Sequence, residues 1–120
     1  MYSKNILLIG GSTLAKEFSA GLQNAGAMVA TATDNKQAFA MSESFRPDAI
    51  VLVMPVYSES AAEFVTSIRS HRAFATIPII YLGNFIESSD NIILQRLGVR
   101  TLTLGPVPTT EAVRFILSLA

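Results

Sequence analysis

Residues 47–55 read Pro-Asp-Ala-Ile-Val-Leu-Val-Met-Pro, and Ala49–Val53 at their centre are five apolar residues in a row. An apolar run of this length, bounded by proline, is typical of a strand covered on both faces of a parallel sheet. Four other segments have the length and composition of strands: Ile6–Ile9, Met28–Thr33, Ile77–Leu82 and Val99–Leu104. The sequence therefore predicts a sheet of five strands.

Segments of helical period alternate with these strands. Apolar residues recur three and four positions apart in the segments 14–25, 34–43, 61–68, 86–97 and 108–117. Gly26 and Gly98 follow two of these segments, at the position where a glycine often ends a helix. Strands that alternate with helices lie parallel and are joined by right-handed crossovers. We therefore predict an α/β fold with a single doubly wound five-stranded parallel sheet and helices on both faces.

Composition narrows the class of protein. The chain has 120 residues, of which 50% are hydrophobic and 15% charged, so we expect one ordered domain over residues 1–120. Nine basic and nine acidic residues give no net charge, which argues against direct nucleic-acid binding and against a polybasic membrane anchor. Cysteine is absent, and the first apolar run is too short for a signal peptide or membrane span. We expect a cytoplasmic domain.

Functional groups of such a fold are expected at one edge of the sheet. Ligands of doubly wound sheets bind beyond the carboxyl ends of the strands. In this chain those places follow Ile9, Thr33, Val53, Leu82 and Leu104.

Several short segments of the sequence have the same order and spacing as motifs of one known family. They are Lys4–Ile9, Arg46–Leu52, Met54–Pro55, Ile77–Ile80, Gly98 and Gly105–Val107. Together they resemble the receiver domain of bacterial two-component response regulators, which is CheY-like. The resemblance implies a (βα)5 flavodoxin-like, three-layer sandwich. It also implies a single receiver-like domain, either alone or as the N-terminal part of a longer signalling protein.

The family carries out phosphorylation with a fixed set of side chains at the strand ends. Two acidic residues help to hold a divalent cation, an Asp accepts the phosphoryl group, and a Thr or Ser and a Lys respond to its charge. In this chain the matching positions are Gly10, Gly11, Val53, Gly83 and Gly105. Counting back from Met54 instead puts the acceptor at Val51, and neither count reaches a carboxylate. Leu102 replaces an aromatic residue that often changes rotamer in the family.

These substitutions imply a degenerate pseudo-receiver. Magnesium binds through carboxylate oxygens, and phosphoryl transfer needs an oxygen nucleophile, so glycine and valine can supply neither. Asp48 is predicted at the opposite end of its strand, and Glu59 in the following loop has no acidic companion. We therefore predict a response-regulator signalling module with no enzyme activity, metal or cofactor, which acts by protein–protein interaction.

A second hypothesis concerns the turn Gly10–Thr13, which follows a predicted strand and opens a helix. Backbone amides at Gly11, Ser12 and Thr13 are candidates for binding a small anion or nucleotide. With Ala15, the turn is a poor relative of the dinucleotide fingerprint, and Asp34 lies near the distance expected of a ribose-binding acid. The simpler interpretation is a tight turn with a Ser or Thr helix cap.

Other polar residues carry weaker signals. His71 is the only histidine; it lies at the polar end of the third predicted helix, and we expect a solvated surface residue. Arg96, Arg100 and Arg114 lie in aromatic-poor surroundings, which favour a solvated or ion-paired face over nucleic-acid contact.

The last predicted helix carries a candidate interface. Ala112, Val113, Ile116 and Leu117 form its core-facing stripe, and Phe115 and Leu119 lie off that stripe by helical geometry. An exposed Phe and Leu pair favours contact with a second copy of the chain or with a protein partner. A place in the core, or against a portion of the protein beyond residue 120, is the alternative.

By resemblance to the family, the Gly105–Pro106 bond is expected to be cis.

Overall fold

The structure is a computed structural model of the 120-residue chain. It describes residues 4–10, 13–33, 35–41, 44–53, 61–83, 92, 95–103 and 109–119.

Five parallel strands form one sheet. They are β1 (Asn5–Ile9), β2 (Met28–Ala32), β3 (Ala49–Val53), β4 (Ile79–Gly83) and β5 (Val99–Thr103). Their spatial order is β2-β1-β3-β4-β5, so the chain reverses its direction of growth across the sheet after β2. The doubly wound parallel sheet predicted from the sequence is confirmed.

Helices cover both faces of the sheet. They are α1 (Thr13–Asn24), α2 (Asn35–Met41), α3 (Ala61–Ser70) and the last helix, α4 (Thr109–Leu119), with a single 3-10 turn at Arg72–Phe74. α1 and α4 pack against each other on one face, and α2 and α3 pack together on the other. Most of the predicted helix at 86–97 lies outside the described residues. Of the residues in this range that the structure describes, Ile92 and residues 95–96 are helical.

Successive residues of the strands alternate between two apolar clusters, one on each face of the sheet. On the α2 and α3 face, Leu7 and Ile50 belong to the first cluster; on the α1 and α4 face, Leu8 and Val51 belong to the second. All five residues of β3 are fully buried, which explains why this central strand is apolar throughout. Its bounds are those predicted.

The end of α1 shows how one glycine directs the chain into β2. Gly26 has a φ of 96°, its amide donates to the carbonyl of Gln23 at 3.0 Å, and the amide of Ala27 donates to Leu22 at 3.0 Å. This pair of hydrogen bonds is the Schellman motif, which needs a residue of positive φ.

Within the described residues, no helix is both long and apolar enough to cross a membrane.

Candidate functional site

The carboxyl ends of the central strands meet at one edge of the sheet. Ile9 of β1 pairs with Leu52 of β3, Val53 pairs with Leu82 of β4, and Gly83 pairs with Thr103 of β5. Gly10, Val53 and Gly83 are therefore neighbours along this edge. These are three of the positions at which the sequence resemblance expects phosphorylation residues.

Gly10 lies directly against the end of β3. A Cβ atom built on Gly10 would be 2.7 Å from the Val53 carbonyl oxygen and 3.2 Å from the Val53 Cβ. It would also lie 3.4 Å from the Cβ of Ala15 in α1, and the φ of Gly10 is +156°. Any side chain at residue 10 therefore requires the strand end to move. This backbone does not accommodate a carboxylate there.

Val53 and Val51, the two alternatives for the acceptor position, lie on the same face of β3. Both are fully buried in the second cluster, together with Ile80 and Leu82 of the neighbouring strand. An apolar side chain without solvent access can neither attack a phosphoryl group nor bind a cation. Among the residues that the structure describes, no group of three His, Cys, Asp or Glu side chains is placed to hold a metal ion.

Comparison with known proteins shows which solved structures share the fold of this chain. No protein-family model and no curated protein matches the sequence. The chemotaxis protein CheY4 of Vibrio cholerae is 21% identical, with a TM-score of 0.84, 99% of this chain covered and 100% of that chain covered. The fold is that of a receiver domain.

Two further solved structures show the same fold. A receiver domain of a sensor histidine kinase from Pseudomonas aeruginosa is 22% identical, with a TM-score of 0.78 and 98% of each chain covered. That domain holds a magnesium ion in its active-site cleft. A two-component response regulator from Clostridium difficile is 18% identical, with a TM-score of 0.81, 98% of this chain covered and 95% of that chain covered.

The Gly10–Thr13 turn is only partly described. The amide of Gly10 donates to the carbonyl of Ala32 at 2.8 Å, so it continues the β1–β2 ladder and does not face an anion. Thr13 is the first residue of α1. Gly11 and Ser12 lie outside the described residues, as do Asp34, Glu59 and the Gly105–Pro106 bond.

Asp48 has a structural partner at the opposite edge of the sheet. Its Oδ2 accepts a hydrogen bond from the Asn5 amide at 2.8 Å, and its own amide donates to the Asn5 carbonyl at 2.6 Å. The Asp48 carboxylate thereby ties the start of β3 to the start of β1. Its predicted place, away from the carboxyl edge, is confirmed.

Arg69 at the end of α3 is an anchor that sequence reasoning missed. Its Nε donates to the carbonyl of Leu97 at 3.0 Å, and its Nη1 donates to those of Phe74, Ala75 and Ile77 at 3.1, 3.3 and 2.6 Å. Partial burial lowers the pKa of this guanidinium. One side chain thus joins α3 to the segments that lead into β4 and β5. Its carbonyl partners leave no sequence signal.

The expectation for His71 is wrong. The imidazole is half-buried and stacks on Phe39 with ring centroids 4.6 Å apart and planes inclined by 16°. Phe74 lies against the other two rings, 5.2 Å from His71 and 6.1 Å from Phe39. The 3-10 turn after α3 returns Phe74 to the core, and α2 supplies Phe39. His71 is therefore part of an aromatic cluster between helices.

The expected exposure of Phe115 is also wrong. Phe115 is half-buried and packs against the second cluster, beside the buried Val113 and Ile116. α4 contacts α1 as well as the sheet, so its apolar stripe is wider than a stripe that faces one layer. The side chain of Leu119 is outside the described set. Among the described residues, the large apolar side chains with high exposure are Met28, at 61%, and Ile92, at 54%.

The three arginines singled out in the sequence occupy the surface. Arg96, Arg100 and Arg114 are exposed. Gly83 and Leu102 lie in β4 and β5, while Gly105 is outside the described residues. The lack of direct nucleic-acid contact stays a prediction.

Proposed function

We propose that this chain is a receiver-like signalling module that does not undergo aspartyl phosphorylation and acts through contact with protein partners or a second copy of itself. The receiver fold supports a signalling role by analogy of fold, which is a weaker guide to function than a site. The chemistry of the carboxyl edge supports the second half of the proposal.

The observation that carries the proposal is the contact between Gly10 and Val53. In a receiver, the end of β1 supplies an acid and the end of β3 supplies the acceptor Asp. Here the first position lacks a side chain and has no room for one, and the second is a fully buried valine. Without a nucleophile, cation ligands or a neutralising charge, the transition state for phosphoryl transfer has nothing to stabilise it.

Loss of this chemistry changes how the module would be regulated. A phosphorylated receiver shifts between two arrangements because the new charge favours one of them. A chain without the acceptor either keeps one arrangement or adopts the one that its partner binds better. Its signal would then be carried by the presence of that partner.

The first experiment tests phosphorylation directly. The chain is incubated with acetyl phosphate and Mg²⁺ and its intact mass is measured, with Vibrio cholerae CheY4 treated in parallel as a control for the reagent. We expect no mass increase of a phosphoryl group, and no change in amide spectra on adding beryllofluoride. A stoichiometric adduct would contradict the proposal and would locate a nucleophile by peptide mapping.

The second experiment tests contact through the last helix. Sedimentation is measured over a concentration series for the wild type, Phe115→Lys and Arg114→Glu. Arg114→Glu is included because Arg114 is exposed, so it alters the α4 surface without disturbing the core beneath Phe115. Arg46→Glu, an exposed charge reversal before β3, is the matched control. We expect a dimer that Arg114→Glu weakens and the control does not. Phe115 is half-buried, so Phe115→Lys is compared only if circular dichroism shows that it remains folded.

A wild type that stays monomeric at every concentration would contradict self-association. Immobilised wild type and Arg114→Glu would then be compared for capture of a partner from the native lysate. Capture that is independent of α4 would place the interface elsewhere, with Ile92 as the next candidate because of its exposure.

A further inference from the structure

An open groove lies between α1 and the edge strand β2. Its volume is about 500 Å³, within the range of about 300–1,000 Å³ that is typical of sites for small organic ligands. The α1 side is lined by Ala15, Lys16, Ser19, Ala20 and Gln23, and the sheet side by Leu8, Gly10 and Thr31–Thr33. Gln37 of α2 completes the lining.

The groove follows from how α1 sits on the sheet. The buried side chains Phe18 and Leu22 belong to the second cluster, which also holds residues of β1, β3 and α4. The edge strand is therefore covered by the adjoining flank of α1, where Ser19 and Ala20 are small. Thr31, which pairs with Leu8 of β1, is exposed on β2. Short side chains on both walls leave the space between them open.

The floor and rim of the groove differ in polarity. Leu8 and Ala15 are buried in the second cluster and make the floor apolar, and Ala20 adds an exposed methyl group beside it. Ser19 and Thr31 add hydroxyl groups, which donate and accept hydrogen bonds. An apolar floor with a few hydrogen-bonding groups suits a ligand that has both an apolar body and a polar end.

Charge selects the polar end. Among the residues that the structure describes, Lys16 is the only charged side chain that lines the groove, and it is exposed. An exposed ammonium beside an apolar floor attracts an anionic group and disfavours a cationic one. None of the described residues that line the groove carries a carboxylate that would oppose this preference.

From these features we propose that the groove is a binding site for a small organic anion. Its aromatic or aliphatic body lies against Ala20 and the floor of Leu8 and Ala15, and its carboxylate, sulfonate or phosphate lies at Lys16. This site adjoins the turn at Gly10–Thr13, because Gly10 is among its lining residues, and it is separate from the α4 surface. It adds a ligand to the proposed signalling module and does not depend on it.

The groove also reaches the edge of the sheet where the receiver site would be. Gly10 and Thr33 line it, and the Thr33 amide donates to Oε1 of Gln37 at 2.9 Å. A bound ligand therefore contacts the residues that connect β2 to α2. Occupancy of the groove is placed to alter this connection without phosphorylation.

A matched pair of fluorescent probes tests the site. Anilinonaphthalene sulfonate has an aromatic body with one negative charge, and N-phenylnaphthylamine has nearly the same body without it. Both are titrated into the wild type, Lys16→Gln and Ala20→Trp. The controls are Lys36→Gln and Ala40→Trp, since both residues are exposed on α2 and neither lines the groove. Circular dichroism checks that each protein remains folded.

We expect saturable binding of one sulfonate per chain. Lys16→Gln should weaken binding of the sulfonate about two- to fivefold, the effect of one solvent-exposed ionic contact, and leave binding of the neutral probe unchanged. Ala20→Trp should abolish binding of both probes because the indole fills the groove, and the two controls should behave as wild type.

Three results would overturn the proposal. They are no saturable binding to the folded wild type, equal loss of the sulfonate in Lys16→Gln and Lys36→Gln, and unchanged binding in Ala20→Trp. The last would locate the probe elsewhere on the surface. None of them bears on phosphorylation or self-association.

Discussion

Replacing Gly10 by alanine measures how tightly the end of β1 packs on the end of β3. The new Cβ would lie 2.7 Å from the Val53 carbonyl oxygen, closer than such atoms normally approach. Overpacking of this kind costs about 1–3 kcal/mol. Positive φ adds about 1–3 kcal/mol of backbone strain. We therefore expect a large part of the stability to be lost, since a domain of this size is stable by about 5–15 kcal/mol.

Gly26→Ala is the matched control for backbone strain. Gly26 also has positive φ, at +96°, but a Cβ there would meet nothing within 4 Å. Urea unfolding, followed by far-UV circular dichroism, gives the free energy of unfolding of each variant. We expect Gly10→Ala to lose about 1–3 kcal/mol more than Gly26→Ala, because only the former has the contact with Val53. A difference below about 0.5 kcal/mol, the range of ordinary surface changes, would refute the close approach.

Three further predictions use the same unfolding measurement. Arg69→Met should cost about 2–4 kcal/mol because four carbonyls lose a charged donor, and Arg69→Lys should rescue little because it lacks the planar fork. Asp48→Ala should cost about 0.5–1.5 kcal/mol, the contribution of its hydrogen bond to the Asn5 amide. Val53→Asp should be more destabilising at pH 8 than at pH 5, and should gain no phosphoryl group from acetyl phosphate. Its site is fully buried, so the pKa of the new carboxyl rises on folding and stability falls as pH increases above the unfolded value of about 3.9. Equal losses at the two pH values would contradict this account.

The strands could be predicted from the sequence because their signal is local. Ala49–Val53 is apolar at every position, and burial on both faces of a central parallel strand requires that pattern. The predicted strand Ile77–Leu82 starts too early, because β4 begins at Ile79. The carbonyl of Ile77 accepts a hydrogen bond from Arg69, and Pro78 has no amide to donate to a ladder.

The features that could not be predicted depend on contacts between distant segments. Arg69 finds one of its acceptors 28 residues away, at Leu97, and nothing in the letters around either residue indicates the pair. The polar neighbours of His71 predict a surface position, but its ring stacks on Phe39 of another helix. The helical stripe that predicts an exposed Phe115 assumes one packing partner, while α4 packs against both α1 and the sheet. The sequence shows the periodicity of each helix and strand, but it does not show which other elements pack against it.

The sheet and the site of a receiver fold depend on different residues, and this separation explains how one can persist without the other. The sheet is stabilised by the apolar residues within its strands. Examples are Ile6–Ile9 and Ala49–Val53, which are all buried. Phosphorylation chemistry would depend on side chains at and beyond the last residue of each strand. At that edge Gly10 packs onto Val53, so the two positions are not independent: an acid at residue 10 must displace the backbone that carries residue 53. Restoring a phosphorylation site would therefore require the strand ends to separate as well as new carboxylates, and Val53→Asp alone would bury a charge against a closed contact.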